Sequence, residues 1–282
     1  MHKNTKWARE IIELQEDDGK WGCFHSLSKF YNSNITTEQA LRRLMHLGYT
    51  IEDDCIQKAV LYMNDCLTGK IEIPDRAEKI HDWTIFTNLI LSTWIRYFTK
   101  DNLTANVVAE KWAEVIFRSF KSGEYNHEKY TEAYRKILGL KPNGGRLIDF
   151  VNFYQVSLLH DCLDEETESI FLDYIISKET GIYYIYDSKI LDTPKIFESK
   201  NTSRYLASLE LLARYKLGRD KLKFIVRWLG ENKNENGKWD MGSVVNDKVY
   251  FPLSDSWRKK EIRELDCTER ISRILNSLIL TK

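Results

Sequence analysis

The 282-residue chain is poor in the residues that interrupt helices. It contains 4 prolines and 13 glycines, and no stretch is rich enough in Pro, Gly and Ser to form a linker. Sparse proline and glycine favour helices over a turn-rich β fold. Because no linker divides the chain, we predict one domain that spans residues 1–282.

The chain also lacks an excess of either charge. Its 42 basic and 42 acidic residues balance, so no basic surface is expected for a nucleic-acid backbone. No apolar run reaches the ~18 residues of a membrane span. The opening segment MHKNTKWARE has no apolar core of a signal peptide. The expected location is therefore cytoplasmic, with no nucleic-acid partner and no membrane span.

Cysteine motifs and phosphate-binding loops are absent as well. The five cysteines include no C-x-x-C pair, and in a cytoplasmic chain they are expected to be reduced. Neither G-x-x-x-x-G-K-[ST] nor G-x-G-x-x-G occurs. We therefore predict no cofactor and no metal.

What the chain does contain is helical periodicity of two kinds. Some segments are apolar almost all the way round, and others carry a single apolar stripe. The two kinds alternate, which is typical of inner and outer helices in a barrel of helical hairpins. We predict an all-α fold, an α/α toroid of about eleven or twelve helices, with an open solenoid as the alternative. The predicted buried helices are Thr37–Leu47, His81–Phe98, Arg146–Leu159 and Thr202–Tyr215; the predicted striped helices are Asp53–Leu67, Val107–Phe120, Glu165–Ile176 and Lys221–Leu229. Gly181–Lys189 is predicted to be extended.

A short phrase is repeated near both ends of the chain. IIELQEDDGKWGCF at Ile11–Phe24 and NKNENGKWDMG at 232–242 share the tripeptide Gly-Lys-Trp. A glycine can end a helix in the left-handed conformation, and a tryptophan can then cover the exposed helix end. Each copy is followed by a threonine, a polar residue and a leucine-rich helix, and a third echo begins at Asn201. Because threonine is a good N-cap, each of these helices is predicted to start at its threonine.

The pattern Gln15-x-x-x-Gly19-x-Trp21 resembles the QW motif of the terpenoid cyclase and protein prenyltransferase superfamily. In that superfamily the fold is an α/α toroid, the glutamine caps a neighbouring helix and the tryptophan stacks on it. The second copy keeps Gly237 and Trp239 but has no glutamine. The resemblance implies a toroid whose central pocket takes a small, mostly apolar ligand of isoprenoid type.

The catalytic signatures of that superfamily are incomplete here. The cyclase motif D-x-D-D has its nearest match in TIEDDCI, where Glu52 to Asp54 lack the first aspartate. That stretch is better explained as a helix start with acids in its first turn. Prenyltransferases hold zinc through a spaced Asp, Cys and His, but Asp266 and Cys267 are adjacent and no histidine follows them.

The candidate functional residues are polar side chains at the starts of the predicted buried helices. In a toroid these starts would gather at one mouth of the cavity, joined by residues that follow the Gly-Lys-Trp turns. The alternative is that they cap helices and pair with each other, as Glu38 with Arg42 and Arg146 with Asp149. The candidate catalytic residues are Asp266, His25, His81 and Asp82; the candidate ligand-binding residues are Glu38, Arg42, Trp83, Arg146, Asp149, Arg204, Trp239, Asp240 and Glu269.

Three functions are compatible with these features. In the first, the cavity binds a small apolar ligand, isoprenoid-like, with acid–base chemistry at the candidate catalytic residues. In the second, the protein is an inert scaffold that binds a protein or peptide partner. In the third, paired carboxylates and tryptophans act on a glycan. Fold alone does not decide between them.

Overall fold

The computed structural model describes residues 2–26 and 35–279, and this part of the chain is all-helical. A 3-10 turn covers Ser243–Val245. Within the described residues, β-type pairing is limited to the isolated bridges Asn152–Tyr183 and Ile182–Tyr186. No helix in residues 2–26 and 35–279 is long and apolar enough to cross a bilayer. The predicted all-α class is confirmed. The helices are α1 Lys6–Ile12, α2 Thr37–His46, α3 Asp54–Leu67, α4 Trp83–Phe98, α5 Leu103–Phe120, α6 His127–Leu138, α7 Phe153–Leu158, α8 Glu165–Ser177, α9 Lys200–Leu212, α10 Gly218–Lys221, α11 Ile225–Glu231 and α12 Lys260–Ile279.

The chain divides into two compact units. Unit 1 contains Met1–Val115 and Thr131–Ile148, and unit 2 contains Ile116–Tyr130 and Asp149–Lys282. Two of the three division points fall inside helices, after Val115 in α5 and after Tyr130 in α6. The single domain and the toroid arrangement stay predictions.

Side chains just outside the helices fix where two of the predicted buried helices begin. Thr36 accepts a hydrogen bond from the backbone N–H of Gln39, and the Gln39 side chain accepts one from the backbone of Thr36. This capping box starts α2 one residue after Thr36. Asp82 accepts from the N–H of Ile85 at 3.0 Å and starts α4. His81, predicted to be helical, therefore precedes the helix.

One predicted helix, Arg146–Leu159, is much shorter in the structure. Only Phe153–Leu158 is helical. Before it, the N–H of Tyr183 donates to the carbonyl of Val151, and the N–H of Phe153 donates to the carbonyl of Tyr183, both at 3.1 Å. These bonds commit the chain to an extended path where apolar composition alone suggested a helix. Arg146 and Asp149 therefore do not form the predicted pair along one helix.

The threonine expected to start the last helix lies inside it. α12 begins at Lys260, about two turns before Thr268. In the third echo, Ser199 rather than Thr202 caps α9, accepting from the N–H of Thr202 at 3.1 Å. The prediction that each repeated helix starts at its threonine is therefore wrong in these two cases. Thr268 has another role, as an acceptor described below.

Both Gly-Lys-Trp turns fold in the same way. The indole N–H of Trp21 donates to the carbonyl of Ile11 at 2.7 Å, and that of Trp239 donates to the carbonyl of Leu229 at 2.7 Å. Both carbonyls belong to the last turn of a short helix, α1 or α11, where carbonyl groups lack intrahelical partners. Both indoles are buried, at 0% and 3% exposure. Each tryptophan therefore covers the end of the helix that precedes it, as the sequence predicts.

The backbone of each tryptophan is tied to the helix that follows. The N–H of Trp21 donates to the hydroxyl of Thr37 at 2.9 Å, and the N–H of Trp239 donates to the hydroxyl of Thr268 at 3.2 Å. We call this arrangement of short helix, Gly-Lys-Trp turn and threonine-bearing helix the tryptophan module. The structure contains one copy in unit 1 and one in unit 2.

The threonine-bearing helix of each module also repeats a charge pair. Glu38 follows Thr37 and pairs with Arg42, and Glu269 follows Thr268 and pairs with Arg273. Both pairs are spaced i,i+4. The Glu38–Arg42 pair is nearly buried, whereas the Glu269–Arg273 pair is exposed. The same sequence pattern therefore lies in two different environments.

The glutamine of the first copy has no counterpart in the second. The Gln15 amide donates to the carbonyls of Gly19 and Cys55, each at 2.8 Å, and so links the turn to the first turn of α3. At the matching place in the second copy is Lys233, whose ammonium lies 4.7 Å from the centre of the Trp239 ring. The second copy thus replaces an amide bridge with a cation–π contact.

The glycines of the two modules provide a matched test of this packing. Both have positive φ, +94° for Gly19 and +69° for Gly237. A Cβ on Gly19 would lie 2.5 Å from the carbonyl oxygen of Lys58, whereas a Cβ on Gly237 would meet nothing within 4 Å. We expect Gly237→Ala to lower the free energy of unfolding by about 1 kcal/mol through backbone strain alone. Gly19→Ala should cost about 3 kcal/mol because α3 must also move. Urea unfolding measures both, and equal losses would contradict the close approach to Lys58.

Candidate functional site

A buried carboxylate shapes the loop that follows the Gly-Lys-Trp turn of the first tryptophan module. Asp75, 9% exposed, accepts hydrogen bonds from the backbone N–H groups of Phe24, His25 and Ser26. The bonds from His25 and Ser26 measure 2.8 and 2.9 Å. Three consecutive N–H groups directed at one carboxylate hold this backbone in a single conformation. This backbone conformation in turn sets where the His25 side chain lies.

The same loop is bonded to the first turn of α2. The N–H of Thr37 donates to the carbonyl of Cys23 at 2.9 Å, and the N–H of Glu38 donates to the carbonyl of Phe24 at 3.0 Å. The first N–H groups of a helix have no intrahelical partner, so these bonds also complete the N-terminus of α2. As a result, Glu38 lies beside His25.

His25, Glu38 and Arg42 form a hydrogen-bonded chain. The Nδ1 atom of His25 lies 2.9 Å from one carboxylate oxygen of Glu38, and Arg42 donates to the other oxygen at 2.9 Å. The three side chains are 20%, 10% and 14% exposed. The Arg42 guanidinium also lies 5.5 Å from the centre of the Trp94 ring. The glutamate thus orients the imidazole and is itself held by a cation.

Aromatic rings surround the imidazole. Phe86, 3% exposed, meets His25 edge to face with ring centres 5.4 Å apart. His81 and Trp83, both half-buried, lie 6.4 and 6.0 Å from the Phe86 ring. We call His25, Glu38, Arg42, Phe86, His81 and Trp83 the His25 site. It combines ionisable side chains with aromatic surface, as a binding site for a mostly apolar molecule requires.

Neighbouring carboxylates keep His25 protonated to higher pH. Burial lowers the pKa of His25, but the hydrogen bond and charge of Glu38, with the charges of Asp75 and Glu78, outweigh it. The net pKa is raised above the ordinary 6.5. At a given pH a larger fraction of this imidazole is therefore protonated than of an ordinary histidine. Oε2 of Glu78 is buried and has no donor within hydrogen-bond distance among the described residues.

The other candidate residues of unit 1 mainly form hydrogen bonds with main-chain atoms. His81 Nδ1 lies 3.0 Å from the carbonyl of Arg146, and the N–H of Arg146 donates to the carbonyl of Ile80 at 2.7 Å. Asp82 is the N-cap of α4. Arg146 therefore meets the His25 site through its main chain, and the catalytic role predicted for Asp82 stays a prediction.

Asp266, in unit 2, is a loop-holding carboxylate like Asp75. It is 1% exposed and accepts from the N–H groups of Leu253 and Ser254 at 2.8 and 2.9 Å, and from the Ser254 hydroxyl. Both of its oxygens are committed to this loop. The catalytic role predicted for Asp266 stays a prediction.

Four further unit 2 candidates lie in different settings. Trp239 is buried in its module, and Glu269 is paired on the exposed side of α12. Asp149 forms an ion pair with Lys178 at 2.6 Å, and Arg204 is exposed on α9. The ligand-binding role predicted for these four residues stays a prediction.

Asp240, the remaining candidate, is half of a tight ion pair. Its two oxygens accept from Nε and an Nη atom of Arg263 at 2.6 and 2.8 Å, and one oxygen also accepts from the N–H of Gly242. Burial raises the pKa of Asp240, but these hydrogen bonds and charges lower it further, so the net pKa is below its ordinary value. Asp240 is therefore a stable anion.

A buried arginine, Arg270, organises the end of unit 2. It is 3% exposed, forms a two-pronged ion pair with Glu210 at 2.8 and 3.0 Å, and donates to the hydroxyl and carbonyl oxygens of Ser203. Its guanidinium lies 4.8 Å from the Tyr250 ring centre and 5.0 Å from that of Phe251. A buried cation with these partners is a packing element of α12.

Sequence reasoning missed several residues of these sites. Asp75 and Glu78 lie in a stretch without helical periodicity, so no local pattern marked them. Phe86 had a signal, because it lies about one helical turn after the polar group at His81. Arg263 had none, since its partner Asp240 is distant in sequence.

Comparisons with protein-family models, with curated proteins and with solved structures found no match to the chain. The resemblance to the cyclase and prenyltransferase superfamily therefore stays a prediction. In residues 2–26 and 35–279, no group of three or more His, Cys, Asp or Glu side chains is arranged to hold a metal ion.

The two modules provide a matched test of the His25–Glu38 contact. Glu38→Gln removes the negative charge that raises the pKa of His25, so that pKa should fall. Glu269→Gln changes the equivalent residue of the second module and should leave the His25 titration unaltered. An NMR titration of the imidazole carbon-bound protons measures both. The same fall in both variants would show that Glu38 does not act locally.

The raised pKa also predicts how stability depends on pH. A histidine with a raised folded-state pKa stabilises the fold fully below its unfolded pKa of 6.5, and this contribution is lost as pH rises through the folded pKa. The free-energy difference between wild type and His25→Gln should therefore be largest below pH 6.5 and should shrink over the range from pH 6.5 to above the folded-state pKa. Urea unfolding across this range measures it. A difference that is independent of pH would contradict a protonated His25.

Proposed function

We propose that the protein binds a small, mostly apolar ligand of isoprenoid type at the His25 site, and that His25 acts there as a general acid. The observation that carries the proposal is the His25–Glu38–Arg42 chain beside the buried Phe86 ring. It places a proton donor of fixed orientation against apolar surface. Ionisable groups in such surroundings are frequent in catalytic sites.

The chemistry of an imidazolium limits the reaction. Its acidity suits proton transfer to an oxygen atom, such as a carbonyl or a leaving hydroxyl, better than to a carbon–carbon double bond. Glu38 accepts at Nδ1, so the ring donates the proton of Nε2 and becomes a neutral imidazole. The proposed ligand therefore carries an oxygen-containing end, and the buried Oε2 of Glu78 supplies an acceptor for a hydroxyl there.

The apolar part of the ligand is assigned to the rings of the His25 site. Phe86, His81 and Trp83 offer flat surfaces that pack on hydrocarbon. The half-buried state of His81 and Trp83 supports contact with a ligand. A glycan enzyme is favoured less, because Asp240, Asp266 and Trp239 are all occupied by internal hydrogen bonds.

The direct test is native mass spectrometry of the protein purified from its own host, followed by denaturing extraction. Wild type should carry one small, mostly apolar, oxygen-containing molecule. His25→Gln and Phe86→Ala should carry less, because they remove the polar anchor and the ring. His160→Gln is the matched control, since it alters another partly buried imidazole, in unit 2, that is hydrogen bonded to Ser157.

The other outcomes separate the alternatives. Equal retention of the molecule in all variants would place the ligand away from His25. A bare polypeptide mass would favour the scaffold function, and a bound saccharide would favour the glycan enzyme. Circular dichroism of each variant separates loss of ligand from loss of fold.

A further inference from the structure

The second tryptophan module has a wall that the first lacks. In the first module Thr37 is the first residue of α2, but α12 continues about two turns before the equivalent Thr268. This extension brings Arg263 onto Asp240, which directly follows Trp239. It also places Lys260 at the edge of the same region. The extension and the loop enclose a cleft.

The cleft, of about 540 Å³, lies entirely within unit 2. Its lining includes the half-buried Asp240–Arg263 ion pair, whose side chains are 14% and 12% exposed. The half-exposed ring of Phe197 is a further part of the lining, supported by Trp228 with ring centres 5.5 Å apart. The remaining lining residues are Glu198, Asn232, Lys233, Asn234 and Lys260.

The charges of this cleft are not balanced. Three of its lining residues are basic, Lys233, Lys260 and Arg263, and two are acidic, Glu198 and Asp240. Asp240 is neutralised by Arg263. Lys260, whose side chain is 68% exposed, forms only a long i,i+4 ion pair with Glu264 at 3.8 Å, and Lys233 contacts the Trp239 ring rather than a carboxylate. Glu198 offsets one of these two ammonium groups, so the residues that line the cleft carry a net charge of +1 beside one aromatic ring.

We infer that this cleft is a second binding site, separate from the His25 site, for a small aromatic carboxylate. The carboxylate is held by the ammonium groups of Lys233 and Lys260, and the ring packs on Phe197. Each part of such a ligand matches one feature of the lining. The net positive charge favours an anion, and the half-exposed Phe197 ring favours a flat apolar group. Arg263 is already paired with Asp240, so its role is to hold the α12 extension in place as the wall of the cleft.

The test is a titration of the full chain with benzoate, followed by ¹⁵N NMR at the Trp228 indole, which lies behind Phe197. Trp228→Phe assigns the signal. Benzoate should shift it in a saturable way, and benzylammonium, similar in shape but opposite in charge, should not. Lys233→Gln and Lys260→Gln should each weaken benzoate binding about three- to tenfold. Lys223→Gln, an exposed lysine of unit 2 outside the cleft, is the matched control.

Three results would overturn the inference. These are no saturable shift with benzoate, an equal shift with benzylammonium, or unchanged affinity in both cleft variants. Inorganic phosphate is a further arm: competition as strong as that of benzoate would show an anion site in which the ring plays no part. Because none of the altered residues belongs to the His25 site, failure here leaves the proposed function standing, and the reverse also holds.

Discussion

The hydrogen bond from a buried indole to the last turn of a helix is the interaction on which both units depend. The carbonyl groups at a helix end have no intrahelical partner, and burying one without a donor is costly. The carbonyls of Ile11 and Leu229 each accept one backbone N–H, from Leu14 and Asn232, and Trp21 and Trp239 supply a second donor that is buried. Because the backbone of each tryptophan is also bonded to a threonine of a later helix, one residue satisfies a helix end and joins two helices.

Once the module is formed, the residues around it decide what each copy can do. In unit 1 the backbone that follows Trp21 is hydrogen bonded to Asp75, and the His25 side chain lies beside Glu38. In unit 2 the residue after Trp239 is Asp240, which is captured by Arg263 from the extension of α12. The same packing unit therefore carries an ionisable imidazole in one copy and a charged cleft in the other.

The buried carboxylates fall into two classes according to the groups that donate hydrogen bonds to them. A buried carboxylate is stable only when its oxygens are hydrogen bonded or paired. Asp75 and Asp266 accept mainly backbone N–H groups and so shape loops. Glu38 accepts from His25 and Arg42, which keeps one side of an ionisable ring in place. Residue type and predicted helix position do not distinguish these roles, because the partners are distant in sequence.

Part of the molecule could be predicted from local pattern alone. The all-α class, the repeated Gly-Lys-Trp turn and the i,i+4 pairing of Glu38 with Arg42 depend on residues a few positions apart. Helix starts were less predictable. Thr268 resembles a cap but lies within α12, because residues well before it extend the helix.

The sequence by itself therefore determined the helical class, the tryptophan module and the presence of His25 after its first copy. Only the tertiary structure decided that His25 meets Glu38 and Phe86, and that Arg263 meets Asp240. The physical reason is distance along the chain. Periodicity reports which face of a helix is buried, whereas a site depends on loops without periodicity and on hydrogen-bond partners that only folding brings together.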